Sequence, residues 1–309
     1  GFHLDTRSGR RQEEGKGHLL GGSEDGERTS GDGALATRLV TLEPEGDLGK
    51  LVCPQGLQKM FQHLIVGTGE IAHRHGERGR LDAVGLVPLQ SVDAATKEVA
   101  HIAQLGLKGV CFRPERYSGM ALHDEILAPF WNAVADQGLF AAVHGSFGSH
   151  MPSFASSRYK NTFFTHMICH PFEQMAACMD IVCGGVLQRH PGLRVAFLES
   201  GLGWLEYWLG RMDEHFEVMG ARVPWLERRP SELFREQCFI SIEADEAHRL
   251  PKIQEMGLEK CVFWGADYPH YDCTYPGAVN ELQEHLAPLD QTLADLIRHE
   301  NAARFIGLG

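Results

Sequence analysis

From Leu81 to the carboxyl terminus, short apolar runs alternate strictly with amphipathic ones, and this alternation restricts the fold more than any other feature. LDAVGLVPL (81–89), KGVCFRP (108–114), LFAAVHGS (139–146), LRVAFLESG (193–201), FISIEAD (239–245) and CVFWGADYPH (261–270) read as strands. DAATKEVAHIAQLG (93–106) and DEILAPFWNAVADQG (124–138) read as helices, each closed by a glycine. Residues 170–192 are mostly helical in pattern, and WLEYWLGRMDEHFEVMG (204–220) is a further helix. LPKIQEMG adds another, and LADLIRHENAARFIGLG closes the chain, with Thr292 and Asp295 spaced as a capping box. Six β/α units in this order predict a parallel sheet with right-handed crossovers. The strands show little polar alternation, as expected when both faces of a sheet are covered. Open doubly wound sheets and closed eight-stranded barrels share this pattern.

The amino-terminal segment differs in kind. Residues 1–50 hold 11 glycines and 17 charged residues, and Phe2 is the only aromatic before Phe61. Side chains of this kind cannot offset ordering entropy by burial, so residues 1–55 are expected to be disordered or aberrant, ahead of a domain at 56–309. Nothing near the amino end has the apolar core of a secretory signal, and no apolar run approaches the roughly 20 residues of a membrane helix. The net charge of −12 argues against nucleic acid or an anionic membrane as partner. Eight cysteines, none in a Cys-x-x-Cys pair, read as reduced core residues of a cytoplasmic protein.

The chemistry collects where strands end. VCFRP delivers Arg113, AAVHGS His144, AFLESG Glu199, ISIEAD Glu243 and Asp245, and ADYPHYD Asp267, His270 and Asp272. In a barrel all carboxyl ends meet on one face, which holds the active site. A His, a Glu and an Asp brought there by separate strands make a divalent-metal site of mixed N and O ligands. Each residue also has a plainer reading. His144 fits a hydrogen-bonded buried histidine, Glu199 a cap on the next helix, and Asp267 the shape of a turn. Arg113 either pins a substrate carboxylate in a bidentate pair or pairs with Glu115. His170 either lines the pocket as a proton donor or starts a helix on the surface. His270 is read as bracing the Asp267 loop on the substrate side, not as a ligand. Trp204, Tyr207, Trp208 and Met212 share helical spacing and are expected in the core.

RLDAVGLVPLQSVDAA, GVCFRP, VHGS, GGVLQRHPGLRVAFLESGLGWLEYWLGRMDEH, FWGADYPHYD and NAARFIGL together resemble the amidohydrolase-related family of metal-dependent hydrolases and decarboxylases, the group of aminocarboxymuconate semialdehyde decarboxylase. The resemblance covers roughly residues 78–309 and implies a distorted (β/α)8 TIM barrel with one divalent ion, Zn2+ first and Mn2+ second, at its carboxyl face. It implies a small carboxylated or cyclic substrate, and homodimers are common in the family. His144 and Asp267 fall on the family's metal-ligand positions, with Asp267 also handling a proton. Glu199 stands where a metal-near and substrate-near His is frequent. The family opens with a strand ending in an acidic-or-His-x-His motif. Here the only His-x-His, His73-Arg74-His75, lies five residues before the strand at Leu81, too close to fill that role. The first one or two strands are therefore expected to be missing or replaced. The chain then reads as a hydrolase or non-oxidative decarboxylase, or as a non-catalytic barrel remnant serving as a binding or scaffold subunit.

Overall fold

The computed structural model describes residues 83–145, 153–154, 158–268, 270 and 273–308. The expectations for residues 1–55, for the opening strands, for His73-Arg74-His75 and for Asp272 lie outside these residues.

Six strands form one sheet in sequential order, every neighbouring pair parallel. They are β1 (Val84–Leu86), β2 (Gly109–Phe112), β3 (Phe140–His144), β4 (Val195–Leu198), β5 (Cys238–Ile242) and β6 (Val262–Trp264). Helices α1 (Val92–Gln104), α2 (Ala128–Asp136), α3 (Thr162–Cys169), α4 (Pro171–Cys183), α5 (Val186–Arg189), α6 (Leu205–Met219), α7 (Pro230–Gln237) and α8 (Leu250–Glu255) fill the connections. After β6 come α9 (Ala278–Leu286), α10 (Gln291–Asp295), a π turn at Leu296–Glu300 and α11 (Asn301–Ile306). The order is that of six consecutive staves of a (β/α)8 barrel.

The period of two along each strand sorts its side chains. Val110, Phe112, Ala141, Val143, Val195, Phe197, Ile240 and Ile242 face the helices and join the main core with Phe130, Trp131 and Phe234. Cys111, Phe140, Ala142, Ala196 and Phe239 form a second cluster on the other face. Phe305 of α11 enters that cluster, its ring 4.4 Å from Phe140, 5.0 Å from Phe239 and 5.4 Å from Phe263. Burying a side chain of this size stabilises by about 1.5–3 kcal/mol. The buried Asn301 side chain donates to the carbonyls of Glu259 and Val262, tying α11 to the β6 entry. Extended past the inner cluster, the same register carries Arg113, His144 and Asp267 to the carboxyl end of the sheet.

The structure corrects several expectations. Helix 170–192 is two helices, because Gly184 and Gly185 interrupt it and Gly185 sits at φ 78°. The cap of the closing helix is Asp290, whose carboxylate accepts from the amides of Thr292 and Leu293, not a Thr292–Asp295 box. Trp204 and Met212 are buried and Trp208 packs partly against the core, but Tyr207 is exposed. Seven cysteines among the described residues are free thiols, most of them buried.

Candidate metal centre

His144 is the last residue of β3. Its Nδ1 is hydrogen-bonded to the Gly145 carbonyl, which leaves Nε2 facing Oε2 of Glu199 at 2.9 Å. Glu199 follows β4 immediately, with φ 52°. A non-glycine residue in the left-handed region costs energy that surrounding contacts must meet. Two contacts do so here. The Glu199 amide donates to Ser241 Oγ at 3.0 Å, and the Leu202 amide donates to Glu246 Oε1 at 2.8 Å. Both partners come from β5 and the turn after it, so the Glu199 loop is held by the next β/α unit. Gly201, at φ 71°, completes the bend.

Asp267 is likewise left-handed at φ 52°. Its Oδ2 lies 2.9 Å from His270 Nδ1, and its carbonyl accepts the His270 amide at 2.9 Å. His270 Nδ1 is also 3.9 Å from Glu199 Oε1. His170 Nε2 approaches that same oxygen to 3.4 Å. Gly145 permits the His170 approach, since a Cβ there would stand 2.9 Å from His170 Nδ1.

His144, Glu199 and Asp267 share one cleft of about 230 Å3 with Ser241, Glu243 and Glu246. The sequence-predicted trio therefore converges on one cavity. His270 stands beside it. His170 is buried against Glu199, not on the surface, but is not among the residues that line the cleft. Arg113 is buried with its guanidinium forked onto the carboxylate of Glu115, which is the competing reading of that residue. Sequence reasoning missed Ser241 and Glu246. Ser241 was legible only as the inward, polar position of an otherwise apolar strand.

The charges are coupled. Burial opposes ionisation of His144, but the Glu199 carboxylate, the Gly145 carbonyl and Asp267 outweigh it and hold the imidazole above its ordinary range. Burial also opposes ionisation of Glu199, yet His144, His170 and His270 keep its pKa below normal. Burial and the neighbouring Glu199 raise Asp267. Burial pushes His170 down to about 4, so near neutrality it is an imidazole that can donate only through its neutral N–H.

Residues 69–308 match the amidohydrolase family, well over half of the chain. The chain belongs to the amidohydrolase family of enzymes. This amidohydrolase is 24% identical over 258 residues to a 2-amino-3-carboxymuconate-6-semialdehyde decarboxylase of Dictyostelium discoideum, a match spanning 82% of this chain and 68% of that protein. Among solved structures it resembles an amidohydrolase of Mycobacterium avium subsp. paratuberculosis, with TM-score 0.66 and 19% identity. That match covers 78% of this chain and 62% of the other, so the chain spans less than two thirds of that relative's length. It also resembles a 5-carboxyvanillate decarboxylase of Novosphingobium aromaticivorans with bound manganese and 3-methoxy-4-hydroxy-5-nitrobenzoic acid, with TM-score 0.61 and 17% identity, over 78% of this chain and 68% of the other.

The divalent ion common to such enzymes fits the residues present. One ligand atom each from Glu199, Asp267 and His270 lie within 4.8 Å of one another, a mixed N and O set suited to Zn2+ or Mn2+. Glu199 Oε2 is buried and faces His144 Nε2 at 2.9 Å, so a bound cation would take the place of that imidazole as the carboxylate's counter-charge.

Proposed function

We propose that this amidohydrolase is a metal-dependent, non-oxidative decarboxylase of a small carboxylated, unsaturated or aromatic acid. The observation that carries this reading is the charge of the cleft. Its lining includes the carboxylates of Glu199, Glu243, Glu246 and Asp267 and, among the described residues, no Lys or Arg. An anionic substrate entering this field is repelled unless a divalent cation is bound there. When bound, the ion supplies the positive charge that draws in and orients the substrate's carboxylate and neighbouring oxygen.

Within that reading His144 would hold the cation through its Nε2, since Nδ1 is engaged by the Gly145 carbonyl. Glu199 adds a carboxylate from the adjacent strand. Asp267, raised by burial and by Glu199, is suited to keep and deliver a proton. In decarboxylation the bond to the carboxyl carbon breaks, its electron pair stays on the substrate carbon, carbon dioxide leaves, and a proton takes the vacated position. His170 orients Glu199 from behind. Arg113 is the weaker candidate for a substrate anchor, because Glu115 already engages its guanidinium. The free thiols support a reducing, cytoplasmic location, and Zn2+ or Mn2+ is the ion of choice.

The test supplies Zn2+ or Mn2+ to the full chain and offers 5-carboxyvanillate and 2-amino-3-carboxymuconate-6-semialdehyde in D2O. The expected result is release of carbon dioxide with one deuterium at the vacated carbon, abolished by chelation and by Asp267→Asn. Metal-loaded protein that releases no carbon dioxide yet hydrolyses amide or lactone substrates would transfer the reading to hydrolysis.

A further inference from the structure

We propose that Gln174, a buried amide on α4 outside the cleft, is a positioning residue that holds the carboxyl ends of β3 and β4 at the separation at which His144 and Glu199 can share one cation. The inference rests on the metal-dependent reading above and adds to it a residue that offers the ion no ligand atom.

Gln174 lies near the start of α4 and is fully buried. Its Nε2 donates to the Val143 carbonyl at 2.7 Å and to the Leu198 carbonyl at 3.0 Å. Val143 immediately precedes His144, and Leu198 immediately precedes Glu199. One nitrogen therefore grips the residue before each of the two. The pairing of β3 with β4 runs out at this level. Its last matched pair is His144 with Leu198, and Glu199 then turns left-handed out of the strand. Beyond that pair the ladder no longer fixes the spacing of the two chains, and the Gln174 amide does so instead. A carbonyl shares a rigid peptide plane with the next residue, so pinning each oxygen restricts where the following side chain begins.

Two other buried amides among the described residues bridge carbonyls in the same way. Gln237 donates to His190 and Leu193 at 2.8 and 3.0 Å, and Asn301 to Glu259 and Val262 at 2.8 and 2.6 Å. Both tie the amino end of the sheet, ahead of β4 and at the start of β6. Gln174 is the same clamp at the opposite end, where the strands carry the cleft. Its Oε1 is buried without a donor, a cost that an apolar side chain of similar size avoids and that the two bonds from Nε2 offset. The other ties on the Glu199 loop, from Ser241 and Glu246, come from the β5 side. Gln174 links Glu199 to β3, the strand that ends in His144. A metal or catalytic constellation has to be held to within about 0.5 Å, so this link matters even though it lies outside the cleft.

A clamp that only stabilises the fold and one that sets ligand spacing differ in what their loss changes. The experiment compares the full chain as wild type, Gln174→Met, Gln174→Glu and the amino-end control Gln237→Met. It measures Zn2+ affinity by chelator competition, the visible absorption of bound Co2+, which reports ligand geometry, and denaturant unfolding of the metal-free protein. Both methionine variants should unfold at lower denaturant than wild type. Only Gln174→Met should lose Zn2+ affinity, by about 10–100-fold, and change the Co2+ spectrum. Gln174→Glu can donate at most one bond, so it keeps one strand end and should fall between wild type and Gln174→Met. Should Gln174→Met fail to fold, Gln174→Glu decides. A folded Gln174→Met or Gln174→Glu with the Zn2+ affinity and Co2+ spectrum of wild type overturns the inference and leaves metal dependence standing. So does a Gln237→Met that loses as much Zn2+ affinity as Gln174→Met. Wild type that binds neither ion overturns the metal-dependent reading itself, and the inference with it.

Discussion

Oε2 of Glu199 and Nε2 of His144 are 2.9 Å apart across the carboxyl ends of β3 and β4. The two strands are hydrogen-bonded neighbours with His144 in register with Leu198. Glu199 therefore lies one residue past its partner's level and would point to the outer face if the strand ran on. The left-handed turn at Glu199 redirects it inward. This contact organises the charges of the whole site.

Neutralising Glu199 should therefore change His144 first. In metal-stripped protein the raised imidazole pKa contributes stability that is complete below about 6.5 and is lost as pH rises through the higher folded value. Glu199→Gln should abolish that loss, lower the His144 pKa as read by histidine NMR titration, and destabilise the protein at pH 6 by about 1–3 kcal/mol. An unchanged His144 titration would contradict the pairing.

Glu173 gives a pH dependence of its own, away from the cleft. It is buried, accepts the Phe154 amide, and burial lifts its pKa to about 7. A carboxyl whose folded pKa exceeds its unfolded one stabilises the fold in its protonated form. That stability is present below the unfolded value of about 4.5 and is lost as pH climbs to about 7. Glu173→Gln keeps an acceptor for Phe154 and removes the charge. Denaturant unfolding at pH 8 should show it more stable than wild type by about 1–3 kcal/mol, with no gain at pH 4.

The loop that aims Glu199 should fail when its anchors are cut. Ser241→Ala leaves the Glu199 amide without its acceptor, at a cost of about 1–2 kcal/mol and about 10–100-fold in metal affinity. Glu246→Gln keeps an oxygen for the Leu202 amide and should stay near wild type, whereas Glu246→Ala should resemble Ser241→Ala. Chelator competition and unfolding curves read both effects. Equal behaviour of the two Glu246 variants would contradict the anchoring role.

At the closing helix, Asp290→Ala should cost about 1 kcal/mol, because two amides lose their cap. Thr292→Val should change little, since the threonine supplies only its backbone amide to that cap. Thermal unfolding of the two variants separates the observed cap from the Thr292–Asp295 alternative.

The sheet was readable in the sequence because a parallel strand covered on both faces must be an apolar run, and such runs end where polar residues meet solvent. For that reason Arg113, His144, Glu199 and Asp267 could be picked out by position alone. Helices α3, α7 and α9 were not readable. In α3 only Cys169 is buried, while Phe163, Phe164 and Met167 are exposed, so its apolar residues trace no inward stripe. α7 and α9 are short, and α7 opens on a proline that reads equally well as a loop. Tyr207 was misplaced because helical spacing names a stripe but not its edge. The left-handed backbone at Glu199 leaves no mark in residue type, whereas aspartate, as at 267, tolerates that region but also serves in many other turns.

The most direct test of the account is the metal content of the purified full chain by elemental analysis, beside Asp267→Ala and His144→Ala. The account predicts about one Zn2+ or Mn2+ per wild-type chain and much less in both variants, with unfolding still cooperative. A cooperatively folded wild-type chain that holds no divalent ion after incubation with Zn2+ and Mn2+ would contradict it.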